Sequence, residues 1–278
     1  MFHVAFCSDS NYVELLKVAV FSLLKTNENV KVHILKIDQF DSSEIDEICN
    51  SFGVLVSYYD LNIDLPSKGR FSKAMFGRFY IPELIEEDVI LYLDCDVVIY
   101  DKLDELFLLN ERNSSLLVAV EEDDSPIITT MKNRLKVQKY FNSGVIIINN
   151  NERTKERFYQ CISFIKSNNA WLTYPDQDAI NAVFENEILS VDIKYNYFRN
   201  YKCEAKPVIL HYAHEKPWVP FSDNFYSKVY DEFIESGNSF YLRKFEINVS
   251  FFKFSTLLIK RVLKKIGLMN LLQRLIWK

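Results

Sequence analysis

Val89-Ile90-Leu91-Tyr92-Leu93-Asp94-Cys95-Asp96-Val97-Val98-Ile99-Tyr100 is the stretch on which the reading of this chain turns. Five apolar residues run into two carboxylates one residue apart, and apolar residues resume at once. Bounded by Glu86-Glu87-Asp88 before and Asp94 after, Val89 to Leu93 reads as a short strand buried on both faces of a sheet. Open parallel sheets carry their chemistry at the carboxyl ends of such strands. Asp94 and Asp96 would point into one crevice there and repel each other unless a positive charge lies between them. Carboxylate oxygens suit hard divalent cations, and neutralising both acids by pKa shifts alone is costly, so a metal is the preferred reading. The plainer alternative is that the two aspartates cap a turn or a helix.

Working outward, strand and helix alternate up to residue 100. Phe2 to Cys7 reads as a strand, and Asp9-Ser10-Asn11 is a natural cap for a helix over Tyr12 to Leu24, where Val13, Leu16 and Val20 recur at helical spacing. Val30 to Ile37 and Val54 to Tyr59 read as strands around a helix from Ser42 to Phe52. A single helix from Lys73 to Leu84, with Pro82 near its end, leads into Val89. Such alternation argues for a parallel sheet with right-handed crossovers. Beyond residue 100 the rhythm loosens. Leu116 to Val120 reads as a strand, Glu121 to Asp124 as an acidic loop, and Phe141 to Asn149 as a buried strand entered through a polar, glycine-containing turn. Glu152 to Ile165 reads as a helix, Tyr174-Pro175-Asp176-Gln177-Asp178 opens another through Phe184, and Pro207 to Tyr212 is a late strand ending at His211.

Composition narrows the function classes. The 278 residues are 49% hydrophobic and 15% aromatic, enough for a substantial core. Only 6 glycines occur, with no glycine-rich phosphate loop. Five scattered cysteines without a CxxC pair read as reduced thiols of a cytosolic protein. The amino terminus lacks the basic and apolar regions of a signal peptide, and no uncharged run reaches transmembrane length. The net charge of −5 hides a partition: residues 249–278 hold seven Lys/Arg and no acid, leaving 26 basic against 38 acidic side chains elsewhere. An acidic body with a basic tail argues against nucleic acid as a partner. The expected organisation is one domain over 1–220, a connector over 221–248 and a tail over 249–278.

Taken together, these segments resemble the family 8 glycosyltransferases, retaining enzymes that include bacterial lipopolysaccharide galactosyl- and glucosyltransferases and glycogenin. The resemblance covers about residues 2–220 and rests on motifs in order. Phe6-Cys7-Ser8-Asp9-Ser10-Asn11-Tyr12 is similar to the family's nucleotide segment, which implies Cys7 along the donor, Asp9 and Asn11 on the uracil edge and ribose, and Tyr12 stacking. Arg78, in Phe76-Gly77-Arg78-Phe79-Tyr80, resembles the arginine that reaches the diphosphate; as plain structure it would lie on a solvated helix face. Asp94-Cys95-Asp96 resembles the DxD motif, whose acids hold Mn2+ (or Mg2+) across the donor phosphates, with Cys95 beside them. Phe141-Asn142-Ser143-Gly144 is similar to the family's FNAG/FNSG turn, implying Asn142 near the donor sugar. Asp176-Gln177-Asp178 matches the DQD element, implying Asp176 on sugar hydroxyls and Gln177 beside the anomeric carbon. His211-Tyr212-Ala213-His214-Glu215-Lys216-Pro217-Trp218 resembles the closing HxxGxxKPW motif, one residue shorter and without its glycine; it implies His211 as a third metal ligand and Lys216 as a phosphate clamp. Glu122 or Asp123 matches the family's sugar-contacting acid.

The resemblance implies an α/β GT-A-type nucleotide-sugar-binding fold with a mostly parallel central sheet flanked by helices. It also implies transfer of glucose or galactose from a UDP-hexose to a glycan or lipid-linked acceptor. The residue types suit that chemistry, since two carboxylates, an imidazole, Lys216 and Arg78 can stabilise a leaving diphosphate. Gln177, an amide, is a poor nucleophile, which favours front-face attack over a covalent intermediate. Asp94-Cys95-Asp96-Val97 also matches the start of a haloacid-dehalogenase-type phosphatase, though that motif normally follows the first strand. A non-catalytic sugar-nucleotide-binding scaffold is the other alternative. In the tail, Leu258, Ile259, Val262, Leu263 and Ile266 share one helical side and Lys260, Arg261, Lys264 and Lys265 the other. Such a pattern is too charged to span a bilayer and suits an anionic membrane surface. The expected location is peripheral, on the cytoplasmic face of an inner membrane.

Overall fold

The computed structural model describes residues 1–66, 72–198 and 207–213. Strand β1 (Phe2–Ser8) leads to helix α1 (Val13–Thr26), β2 (Val30–Lys36), α2 (Ser43–Ser51) and β3 (Val56–Asp60). A 3₁₀ segment (Lys73–Tyr80) and the short α3 (Ile81–Leu84) precede β4 (Val89–Leu93) and β5 (Val97–Ile99). Then follow α4 (Asp104–Glu111), β6 (Leu117–Glu121), α5 (Pro126–Leu135), β7 (Phe141–Asn149), α6 (Glu152–Asn168), α7 (Pro175–Phe184), β8 (Ile188–Val191) and β9 (Ile209–His211).

Seven strands form one sheet in the order β3-β2-β1-β4-β7-β6-β8, and β5 pairs with β9 in a small second sheet. Neighbours are parallel except β7, which runs antiparallel to β4 and to β6. Alternate strand residues feed two cores, because successive side chains leave opposite faces. Phe6, Leu91, Leu93 and Ile147 pack under α1, while Ala5, Ile90, Tyr92 and Ile146 pack under Phe76, Phe158 and Ile165. Burial of both faces explains why β4 reads as a continuous apolar run.

The chain winds outward from β1 through β2 to β3, then returns to the other side of β1 as β4. That reversal opens a crevice at the carboxyl ends of β1 and β4, where ligands of open α/β sheets bind. Cys7-Ser8-Asp9 leaves β1 there and Asp94-Cys95-Asp96 leaves β4 there.

The structure corrects local expectations. Lys73 to Leu84 is not one helix: Ser72 caps a 3₁₀ segment by accepting from the Ala74 N–H, and Pro82 sits in the first turn of α3. Proline lacks an N–H and is tolerated only where none is needed. The cap of α1 is Tyr12, without a side-chain bond. Asp9 instead accepts from the Asn11 N–H at 3.0 Å, closing a turn ahead of the helix. Phe141 to Gly144 is no turn but the first half of β7, held by the Asp94 N–H donating to the Gly144 carbonyl at 2.8 Å. Helices α4 and α5 and strands β5 and β8 add to the elements read from the sequence. Lys216, His214 and residues 221–278 lie outside the described residues.

Candidate functional site

The antiparallel pairing of β5 with β9 sets Val97 opposite His211, which delivers the imidazole to the two acids that precede β5. His211 Nε2 lies 3.4 Å from Asp96 Oδ1 and 3.7 Å from Asp94 Oδ2. One ligand atom from each of the three residues falls within 4.8 Å of the others, a group able to hold a metal ion. Two carboxylates and an imidazole are a donor set that can hold a divalent cation. Gly144 makes the meeting possible. A methyl group there would sit 2.7 Å from Asp94 Oδ2 and 2.9 Å from His211 Nδ1, inside van der Waals contact.

Arg78 is the electrostatic centre of the same cluster. Its side chain is 3% exposed, so it occupies no solvated face. Its Nη2 donates to Asp94 Oδ1 at 2.8 Å, and its Nη1 lies 3.2 Å from Asp176 Oδ2 and donates to the Ser143 carbonyl. The guanidinium also stacks 4.5 Å over the Tyr92 ring, whose hydroxyl donates to Asp94 Oδ1 at 2.6 Å. Burial opposes its charge, but Asp94, Tyr92 and Asp176 outweigh that and raise its pKa. Burial pushes Asp176 up, with Arg78 pulling back and Asp94 adding to the rise. A buried cation between two acids is satisfied; an uncompensated one would be prohibitive.

The first turn of α7 presents Asp176 and Gln177 to β7. Ser143 donates through Oγ to Asp176 at 2.9 Å and through its N–H to Gln177 Oε1 at 3.1 Å. Asp178 points the other way, accepting from the Tyr140 hydroxyl at 2.5 Å and the Thr173 and Tyr174 N–H groups at 2.7 and 3.0 Å, which anchors the turn. Asn181 completes the clamp by exchanging hydrogen bonds with the Phe141 backbone at 2.7 and 2.9 Å. Of the two acids left open, Glu122 enters the site, accepting from Asn142 Nδ2 at 2.9 Å and Gln177 Nε2 at 3.4 Å; Asp123 is exposed.

At the β1 end, Asp9 is buried and accepts from Asn11 N–H and from the Ser72 hydroxyl, while Asn11 is exposed and Tyr12 half-buried. Cys7 packs on Gly77, whose missing side chain leaves room for the sulfur. The Cys95 thiol donates to the Cys7 carbonyl at 3.3 Å. Burial pushes both thiols up, so they are neutral wall residues and not nucleophiles. Ser143, Asn196, Tyr92 and Asn181 were missed from sequence. Ser143 and Tyr92 stand beside signalled residues without signalling chemistry themselves, and Asn196 and Asn181 matter through partners distant in the chain.

The sheet order, the switch point and the acid cluster define a GT-A-type α/β protein. Residues 3–220 match the model of glycosyl transferase family 8, and the chain belongs to that family. It is 26% identical over 257 residues to the glycosyltransferase GlyA of Streptococcus pneumoniae, an alignment covering 82% of this chain and 34% of GlyA. It is 25% identical to the lipopolysaccharide 1,2-glucosyltransferase of Escherichia coli, covering 78% of this chain and 72% of that enzyme. Among solved structures, the galactosyltransferase LgtC in complex with donor and acceptor sugar analogues superposes with a TM-score of 0.68 at 20% identity, covering 83% of this chain and 96% of LgtC. GlyE of the same streptococcus matches at 26% identity, and the chain spans 57% of its length. Membership of this family displaces the phosphatase reading. Among the described residues no helix is long and apolar enough to cross a membrane.

Proposed function

We propose that this chain transfers a hexosyl group, glucose or galactose, from a UDP-sugar to a bacterial surface-glycan acceptor with retention at the anomeric carbon. The observation that carries the reading is the meeting of Asp94, Asp96 and His211 at the sheet's switch point, beside Arg78, Asp176 and Gln177. Asp94, Asp96 and His211 would hold Mn2+ or Mg2+. When bound, the ion supplies charge neutralisation for a departing diphosphate.

The chain's own residues do the rest. Cys7, Asp9, Asn11, Tyr12 and Cys95 form the nucleotide end, where the carbonyl ends of β1 and β4 meet. Arg78 pairs directly with both Asp94 and Asp176 and sets a buried positive charge between them. Glu122, Asn142 and Gln177 form the sugar end, with Gln177 oriented through its Oε1 by the Ser143 N–H. Asp176 is tied to Ser143 and Arg78, and the Gln177 amide is a weak nucleophile, which supports front-face displacement. In that route the acceptor hydroxyl attacks the face the phosphate leaves, and the phosphate oxygen takes its proton. Lys216 is assigned to the diphosphate on its motif alone. Residues 249–278 are assigned to an anionic membrane surface at the cytoplasmic face, next to lipid-linked acceptor.

A panel of UDP-hexoses with Mn2+ and glycan acceptors, scored by UDP release, tests the reading. Release from UDP-glucose or UDP-galactose that stops in excess chelator is the expected result. UDP binding without release from any donor across the acceptor panel would overturn transfer in favour of a binding scaffold.

A further inference from the structure

We propose that Asn196 is a positioning residue that fixes the tautomer of His211 and so leaves its Nε2 open to a divalent cation, an inference that rests on the assignment of Asp94, Asp96 and His211 to the metal. The argument starts from the groups that cannot reverse their role. The Gly144 backbone N–H can only donate, and it lies 3.0 Å from Asn142 Oδ1. The other side of the same amide agrees, with Asn142 Nδ2 donating to Glu122 Oε1 at 2.9 Å. Together they fix the Asn142 amide with its oxygen toward Asn196.

That oxygen needs a donor from Asn196, which presents Nδ2 at 2.8 Å. Asn196 Oδ1 is thereby turned to His211 Nδ1 at 2.9 Å. The reversed amide would set two carbonyl oxygens against each other and an N–H₂ against the ring. An amide oxygen only accepts, so Nδ1 carries a proton, and in the neutral ring the lone pair is then on Nε2. Nε2 faces Asp94 and Asp96 at 3.7 and 3.4 Å, beyond good hydrogen-bond distance. Three electron-pair donors converging without a proton between them form a cation site. Asn196 is 0% exposed and Asn142 and His211 are each 5% exposed, so water does not compete for these bonds.

Asn196 reaches this position through the fold. It follows the 3₁₀ turn Ile193–Tyr195, and the next residue, Tyr197, donates its N–H to the Ile209 carbonyl while its carbonyl accepts from the His211 N–H at 2.9 Å. Partners of this kind raise metal affinity by locking the ring and its tautomer, and their loss typically costs 10- to 100-fold. Without the Asn196 oxygen, the Nε2–H tautomer that prevails for histidine in water would point its proton at the carboxylates and close the site.

The test has two independent readouts on the full chain. The first is nitrogen NMR of protein labelled at its four histidines without metal, with His211 assigned by His211→Gln. A protonated Nδ1 and a bare Nε2 are expected; an Nε2–H His211 overturns the proposal without any variant of Asn196. The second is Mn2+ binding measured by electron paramagnetic resonance without nucleotide. Asn196→Ala is expected to raise the Kd about 10- to 100-fold and to shift the ring toward Nε2–H. Unchanged Mn2+ affinity and tautomer in Asn196→Ala overturn the positioning role. If wild type binds no Mn2+, or binds it equally after His211→Gln, the metal assignment itself falls and takes this inference with it.

Discussion

Replacing Gly144 with alanine should cripple metal binding while leaving the fold in place. The backbone at Gly144 carries no positive φ, so the effect comes from space alone. The added methyl would overlap His211 Cε1 and lie 2.7 Å from Asp94 Oδ2 and 2.9 Å from His211 Nδ1, where ordinary contact begins at 3.4 Å. Asp94 must therefore retreat by about 0.7 Å and His211, whose Cε1 is overlapped, by about 1 Å or more, since contact distances below about 3.4 Å are strongly repulsive. Gly144 itself cannot retreat. Its carbonyl accepts from the Asp94 N–H at 2.8 Å, its N–H donates to Asn142 at 3.0 Å, and β7 is paired on both sides. Metal–ligand distances tolerate about 0.2 Å, so a shift of this size exceeds the tolerance severalfold. We expect Mn2+ affinity to fall by at least about 100-fold, the upper range for losing an outer-shell partner, and UDP release to fall with it. Overpacking should lower stability by about 1–3 kcal/mol, read as about 2–4 °C of melting temperature per kcal/mol. Gly53→Ala is the control: Gly53 has φ +66° with nothing within 4 Å of an added methyl, so it should cost stability and spare the metal. Wild-type Mn2+ affinity in a folded Gly144→Ala protein would refute the shared ion at Asp94 and His211.

Four other outcomes follow from the same structure. Asp96→Asn should abolish transfer by removing several kcal/mol of leaving-group stabilisation; Asp94→Asn should also lower the melting temperature, because Arg78 loses a buried partner worth up to about 3–5 kcal/mol, and full activity of either in excess chelator would contradict the site. Gln177→Ala should slow kcat while UDP affinity, measured by calorimetry, changes little, and an α-linked donor should yield an α-linked product by NMR; a β-linked product would exclude retention. Burial, helped by His3 and Lys31, lowers the His33 pKa from its ordinary 6.5 to about 4, so the neutral ring favours the fold above that ordinary value; stability should fall from pH 6.5 toward 4, and His33→Phe should flatten urea midpoints over that window. Cutting after Glu246 should leave a domain that still releases UDP from donor, while the full chain floats with anionic vesicles and partly releases in high salt; unfolding on truncation, with no flotation of the full chain, would make the tail part of the core.

The strand run Val89–Leu93, the paired acids after it and the strand–helix alternation before it were legible in the sequence, because burial imposes residue type at each position and local spacing records it. Asp94 and Asp96 could be singled out by their spacing at a strand end, and His211 and Asp176 by the motifs they stand in. Other features were not local properties at all. Apart from its motif, Arg78 reads as a surface helix residue until β4 and α7 bring two acids to it across 16 and 98 positions of chain. Asn142-Ser143-Gly144 reads as a turn, because polar residues and glycine favour turns, until α7 and Asp94 supply the hydrogen bonds that let it run as strand. Pro82 marks a helix boundary from sequence, but only the packing of the 3₁₀ segment places that boundary before it and not after. Asn196 carries no motif, and its meaning depends on an antiparallel pairing of residues far apart in the chain. Sequence determined which residues had to be buried or charged; the switch between β1 and β4, and the pairing of β5 with β9, decided which of them meet, because hydrogen-bonded register acts over distances that no local pattern encodes.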